Sequence, residues 1–449
     1  MNELMGRQYE KQKRDLHHIF GRALSESKPY NRVAENILIH KNSLSVGGKT
    51  FPLQQNQKIW VMGSGKAAAQ MALALENKLG DRIHDGLVVC SRGTTTNTPH
   101  IRQMETSHPV PGTDSLEATT KMLMLTKRVG TGDIVLYVMS GGSSALLCLP
   151  PDEVSLGSIQ QTGQLLLNSG ANIHEMNTVR KHLSRVKGGR LALALKEARV
   201  ISLVISDVPG DVPEDIGSGP MVRDPTTYTD AMAVLKAYDL LARLPGDVVD
   251  YLKKGMAAKT GETLKYDIPG HTYLLLGNAR FTARQAGLAA EELGYSVYRS
   301  KEAYSGETHD MAKKITRTAL SVLSRDEPVA KPAALIYFGE SYLSVTGGGK
   351  GGRNQQLALS ASVHLDGHHY VSLLSAGTDG RDGPTDAAGA ICNGNTVQQA
   401  RMEGLDPALY LRNNDSYRFF EATGALVKTG DTGNNVMDMQ IALVEVHLQ

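Results

Sequence analysis

Three aspartates, Asp379, Asp382 and Asp386, fall within one glycine-rich loop of the stretch 371–390, VSLLSAGTDGRDGPTDAAGA. Gly377, Gly380, Gly383 and Pro384 keep this loop out of regular structure, so its carboxylates can turn toward one point. Crowded carboxylates repel unless a cation or hydrogen-bond donors sit among them. Hard oxygen ligands suit Mg²⁺, which takes one or two carboxylates and completes its shell with water and phosphate oxygens. The three aspartates are therefore the metal-ligand candidates.

A second pattern sets cations beside glycines. In KIWVMGSGKAAAQ, Gly63, Ser64 and Gly65 precede Lys66 at the start of a helix-forming run, a geometry that lets backbone approach an anion. Lys66 adds a fixed charge suited to a transferring phosphoryl group or a carboxylate. The spacing also satisfies G-x-G-x-x-A, the dinucleotide fingerprint. The acid that would bind a ribose diol is replaced by Ser91-Arg92, which could greet a 2′-phosphate, so an NADPH-dependent enzyme stays open. Neither Gly-Lys pair, 65–66 or 349–350, sits in a Walker A frame.

Further glycine turns follow. Ser140, Gly141, Gly142, Ser143 and Ser144 form a turn whose successive N–H groups can make an anion nest. Gly348, Gly349 and Lys350 lie in a loop of five glycines, and Arg353 opens the helix after it, a combination able to wrap polyphosphate. Asp207 stands just past the apolar run 200–205, where open parallel sheets place their ligands, and could orient a hydroxyl or hold a metal. Arg180, Ser184 and Lys187 recur at helical spacing as one basic stripe, compatible with an acidic substrate. His108, in the Pro-rich SHPVPG, could line a pocket but alone reads as a turn residue; Glu340 could be a metal ligand and likewise reads more readily as a turn residue. Asp438 precedes a closing strand.

These residues need a scaffold. The apolar runs 59–62, 86–90, 134–139 and 200–205 are strand-sized and alternate with helix-forming segments, the α/β pattern of a parallel sheet. A second alternating set comprises strands at 273–276, 296–297, 334–338, 343–346 and 371–374, and helices at 279–293 and 308–323. At 449 residues the chain exceeds one ordinary core. Polar 260–270 divides it into domains 1–259 and 260–449, with the first 30 or so residues packing on the other domain. The formal net charge of +2 does not support a nucleic-acid footprint. Cys90, Cys148 and Cys392 make neither a CxxC pair nor a zinc spacing, which fits a reducing cytoplasm. The charged first residues do not read as a signal peptide. No apolar run approaches the ~20 residues of a membrane span. A homodimer stays open.

Taken in order, GSGKAA, SHPVPG, SGGSSALL, NTVRKHLSRVKGGRLA, SDVPGDVPEDIGSGP, GGGKGGRNQQLAL and GTDGRDGPTDAAGA make the chain resemble the glycerate 2-kinase family, whose C-terminal part is called the MOFRL domain. The resemblance runs from about residue 60 to residue 438. It implies two α/β domains facing a cleft, the N-terminal one Rossmann-like with a largely parallel sheet. It also implies ATP-dependent phosphorylation of D-glycerate on its 2-hydroxyl with Mg²⁺ or another divalent cation, and Lys66 and Arg353 as the first catalytic candidates. On that basis Asp207 would orient or deprotonate the hydroxyl, and Arg180 with the 140–144 nest would receive the carboxylate. The chain departs from the family at TGDTGNNV, residues 429–436, where Asn434 replaces a hydroxyl residue and Asp431 stands where proline is frequent.

Overall fold

The strand-sized apolar runs of the first half join into one sheet in the computed structural model, which describes residues 2–446. After a small antiparallel sheet of β1 (Ile37–His40), β2 (Ser43–Val46) and β3 (Lys49–Pro52) come β4 (Ile59–Ser64), β5 (Ile83–Ser91), β6 (Ile101–Thr106), β7 (Ile134–Met139), β8 (Arg199–Ile205) and β9 (Thr272–Gly277). The sheet order is β6-β5-β4-β7-β8-β9, and the first five strands are parallel. Every residue of β4 and β7 is buried, as expected for parallel strands covered on both faces. In chain order the parallel strands run 3-2-1-4-5, the Rossmann arrangement, whose order reverses between β4 and β7.

The second half forms a mixed sheet from β10 (Ser296–Arg299), β11 (Tyr304–Glu307), β12 (Ala333–Tyr342), β13 (Val371–Gly377), β14 (Gly389–Asn393), β15 (Leu426–Val427) and β16 (Asp438–Val444). Its order is β10-β12-β16-β13-β14-β15, with β11 also pairing β12. The last strand inserts antiparallel between β12 and β13 and carries Asp438 to the sheet's centre. Residues 343–346, expected as a strand, are irregular; Asn414 Oδ1 draws the Thr346 N–H at 2.8 Å, and β12 instead runs on to Tyr342.

Contacts divide the chain into one unit of residues 29–276 and another made of the residues up to 28 with 277–449. The division falls later than residue 260 because Leu264 and Ile268 bury in the first unit's core and β9 extends its sheet. The helix Asn2–Glu26 belongs to the second unit. Its Leu16, Ile19, Phe20 and Ala23 recur at helical spacing and pack on Ala279, Ala283, Ala286 and Ala290 of the helix Ala279–Glu292, where small side chains permit close approach.

The first unit also contains a fully buried ion pair. Lys181 Nζ lies 2.6 Å from Asp224 Oδ1, with both side chains at 0% exposure, and Asp224 Oδ1 also accepts from Thr226 N–H and Oγ1. Removing one partner of such a pair leaves an uncompensated charge in a low dielectric. Lys181→Met is expected to lower the unfolding free energy by roughly 3–5 kcal/mol, read by urea denaturation. A loss under about 1 kcal/mol would mean that water reaches Asp224.

Candidate active site

β4 and β7 are neighbours where the strand order reverses, and their C-terminal turns interlock. A Cβ on Gly63 would lie 2.0 Å from the Val138 carbonyl oxygen, and one on Gly65 would lie 2.2 Å from Ser140 Oγ. The Lys66 N–H donates to the Gly141 carbonyl at 2.8 Å, and the Ala67 N–H donates to Ser140 Oγ at 2.9 Å. Ser64, fully buried, bonds through its hydroxyl to that of Ser143. Gly63, Ser64, Gly65 and Ser140, expected at an anion, have groups that lock two strand ends together. What the turn presents outward is the exposed side chain of Lys66.

The hydroxyls of 140–144 are likewise spent. Ser144 Oγ bonds Ser218 Oγ at 2.8 Å, and Ser218 donates to Asn177 Oδ1 at 2.9 Å. What remains of the nest is main chain, including that of Gly142 with φ +81°. Three side chains crowd Gly141 and Gly142. A Cβ on Gly141 would fall 1.9 Å from Asp207 Oδ2; one on Gly142 would fall 3.0 Å from Lys66 Cγ and 3.1 Å from His108 Nε2. The structure thus brings Asp207 and Lys66 together with His108, read from sequence as a turn residue. The signal that could have found it was position: SHPVPG follows β6, so His108 sits at the same C-terminal edge as Lys66 and Asp207. Partial burial, then the charge of Lys66, lowers the His108 pKa and keeps the ring neutral at neutral pH.

The basic stripe is not a helical face, because the helix Ile173–His182 ends before Ser184. Lys187 is buried and its Nζ donates to the Leu147 carbonyl at 2.7 Å; burial pushes its pKa down. Arg180 is half-buried, and no acid pairs with it among the described residues; burial lowers its pKa too.

In the second unit Arg353 opens the helix Arg353–His364 and is gripped by two acids. Its Nε and Nη2 meet Asp438 Oδ2 and Oδ1 at 2.6 and 3.1 Å, and Nη2 meets Glu340 Oε1 at 2.5 Å. Burial opposes the guanidinium's charge, but Asp438 and Glu340 more than offset it and hold the pKa above its usual value. Asp438, only 3% exposed, and Glu340 are site residues whose roles sequence reading missed.

The three loop aspartates go to separate tasks. Asp382 spans the first turn of the Arg353–His364 helix, accepting from the N–H groups of Asn354 at 3.0 Å and Gln355 at 2.8 Å. Burial raises its pKa to about 6 against the pull of those donors. Asp386 accepts from Tyr417 Oη at 2.6 Å and pairs with Lys428 at 2.9 Å, and these donors lower its pKa to about 2. Asp379 accepts the Arg381 N–H at 3.0 Å. Among the described residues no group of three or more His, Cys, Asp or Glu side chains is placed to hold a metal ion. The three candidates are therefore not equivalent, because a helix N-terminus claims Asp382 and a lysine claims Asp386. Asp379, half-buried, still fits a cation that needs only one or two carboxylates and arrives with phosphate oxygens.

The glycine loop is pinned as well. Gly348 N–H donates to Asn413 Oδ1 at 3.2 Å, Gly349 N–H to the Asn413 carbonyl at 2.9 Å and Lys350 N–H to Asp415 Oδ1 at 2.8 Å. Lys350 Nζ sits 4.0 Å from the centre of the Tyr417 ring. The backbone donors expected to wrap polyphosphate at Gly348, Gly349 and Lys350 are thus satisfied within the protein.

Two α/β units, one with a Rossmann strand order and a cation at its switch point, define the class of protein. A family model described as a domain of unknown function (DUF4147) matches residues 15–253, and the MOFRL family model matches residues 333–438. The chain is 37% identical over 428 residues to the glycerate 2-kinase of Pyrococcus horikoshii, covering 95% of this chain and 96% of that protein. It is also 37% identical over 433 residues to a putative hydroxypyruvate reductase of Agrobacterium vitis, covering 96% of this chain and 94% of that one. The crystal structure of glycerate kinase from Thermotoga maritima superposes with a TM-score of 0.87 at 37% identity, covering 97% of this chain and all of that one. The chain belongs to the glycerate 2-kinase family, with an N-terminal DUF4147 domain and a C-terminal MOFRL domain. Among the described residues no helix is long and apolar enough to cross a membrane.

The cap at Asp382 makes a stability prediction. Asp382→Ala leaves two helical N–H groups without their acceptor and should cost about 1–2 kcal/mol, measured by thermal unfolding. If instead the variant kept its melting temperature and lost affinity for Mg²⁺, Asp382 would be a ligand and not a cap.

Proposed function

We propose that the protein transfers the terminal phosphoryl group of ATP to the 2-hydroxyl of D-glycerate, giving 2-phosphoglycerate and ADP. The end-to-end relationship to a glycerate 2-kinase carries this reading, since it runs through both units of the chain. Phosphoryl transfer asks a protein for positioning and charge neutralisation more than for covalent chemistry, because charge spreads over the migrating oxygens. Lys66 answers that need in the first unit, as an exposed ammonium on a rigid turn at the strand ends. Arg353 answers it in the second, its orientation fixed by Asp438 and Glu340. Arg180, half-buried without an acid partner, suits the carboxylate of glycerate. Asp207 lies against Gly141, where it can orient the hydroxyl. Asp379 is the residue we assign to a divalent cation, Mg²⁺ in the first instance, which when bound neutralises nucleotide phosphate charge. We also place the protein in the cytoplasm, where its three free cysteines, all buried, would stay reduced.

A second reading, NADPH-dependent hydroxypyruvate reduction, takes its interest from the Agrobacterium vitis relative. Two observations weigh against it. The N–H groups of Lys66 and Ala67, where a pyrophosphate would dock, are bonded to the β7 turn. Arg92, the residue for a 2′-phosphate, bonds Asp114 at 2.9 Å and Ser107 at 3.2 Å.

Purified protein given D-glycerate, ATP and Mg²⁺ should show a 2-phosphoglycerate resonance by phosphorus NMR, absent when EDTA is added. A 3-phosphoglycerate signal would overturn the regiochemistry. NADPH oxidation on hydroxypyruvate without phosphorylated product would hand the protein to the reductase. Lys66→Ala should lower kcat by about 10³-fold with little change in melting temperature. Arg353→Lys keeps a charge against buried Asp438 but loses the planar fork, and should also lose most turnover.

A further inference from the structure

The side chains over Gly141 and Gly142 differ in what they have left to give. Lys66 is a cation on a four-carbon stem, and Asp207 is a carboxylate pressed so closely on Gly141 that a Cβ there would overlap it. His108 is the third group. Its Cδ2 and Nε2 both lie 3.1 Å from the Cβ position of Gly142, beside Lys66 Cγ, although the residue as a whole keeps access to solvent. No hydrogen bond within the described residues engages its ring, so the imidazole carries no structural duty that its contacts reveal. Attack by an alcohol on a phosphoryl group must dispose of one proton, and the best acceptor is a neutral base whose pKa is near the working pH. An imidazole is better matched to that task than an ordinary carboxylate.

We propose that His108 is a catalytic residue of the phosphoryl transfer, its imidazole taking the proton of the attacking hydroxyl above the Gly141-Gly142 turn. The acceptor oxygen forms its bond to phosphorus as the bond from phosphorus to the leaving oxygen of ADP breaks. The hydroxyl proton moves to the ring and then to solvent. Lys66 beside the ring favours the neutral form before transfer, and Asp207 on the neighbouring glycine orients the hydroxyl. The other charges near the root of the loop, Arg92 and Asp114, are paired with each other at 2.9 Å. This assignment rests on the kinase reading and adds the identity of its base.

The test compares wild type with His108→Asn and His108→Gln, measuring 2-phosphoglycerate formation from pH 5 to 9 and KM for both substrates, with melting temperature as the folding check. Wild type should lose kcat/KM for D-glycerate below an apparent pKa under about 6.5 as His108 protonates. Both variants should lower kcat by about 10²-fold or more, with KM nearly unchanged and without that acidic limb. His108→Gln restoring turnover would show that a hydrogen bond suffices and would overturn proton acceptance. Variants that kept the acidic limb, or that raised KM alone, would overturn it as well. An active wild type with unaffected variants sinks the base and leaves the kinase standing; a wild type with no transfer to glycerate sinks both.

Discussion

The first unit depends on how closely the end of β4 can approach the end of β7. Gly63 and Gly65 leave no room for a side chain against Val138 and Ser140, so the two turns meet backbone to backbone. That contact lets the Lys66 N–H reach the Gly141 carbonyl and fixes where both loops leave the sheet. Lys66, Asp207 and His108 gather on Gly141 and Gly142 because the β7 turn is held there and these two residues have no side chains to obstruct them. A glycine pattern that invites an anion-binding interpretation is, in this chain, chiefly a packing device.

The second unit is governed by charge. Arg353, Glu340, Asp438 and Asp382 share a partly buried corner in which an unpaired charge would be costly. The fork between Arg353 and Asp438 compensates both partners, and Asp382 gains the first N–H groups of the Arg353–His364 helix. A carboxylate satisfied in that way is a poor candidate for metal coordination. Asp386, bound to Tyr417 and Lys428, is withdrawn for the same reason.

Cations show the complementary distinction. Lys181 and Lys187 are buried, and each has a fixed internal acceptor, Asp224 and the Leu147 carbonyl. Lys66 and Arg180 have no acid partner among the described residues, and both lie in the unit whose sheet has its switch point at Lys66. Sequence reading drew Lys66, Arg180 and Lys187 into the candidate site alike and passed over Lys181. Their surroundings separate structural charges from those available to an anionic substrate.

What the amino-acid sequence determined by itself was local. Apolar runs such as 134–139 commit to buried strands through their own composition, and their alternation with helix-forming segments yields the parallel order around β4 and β7. The placing of Lys66 on a turn and of Arg353 at a helix start followed from adjacent glycines. Only the tertiary structure decided which groups remain free to act. Asp382 meets Asn354 across 28 residues of chain, and Asp438 reaches Arg353 across 85, because β16 inserts between β12 and β13. His108 joins Lys66 because β6 and β4, separated by β5, end at the same edge of one sheet. Pairings of that kind are set by strand order and packing, and residue spacing along the chain carries no record of them.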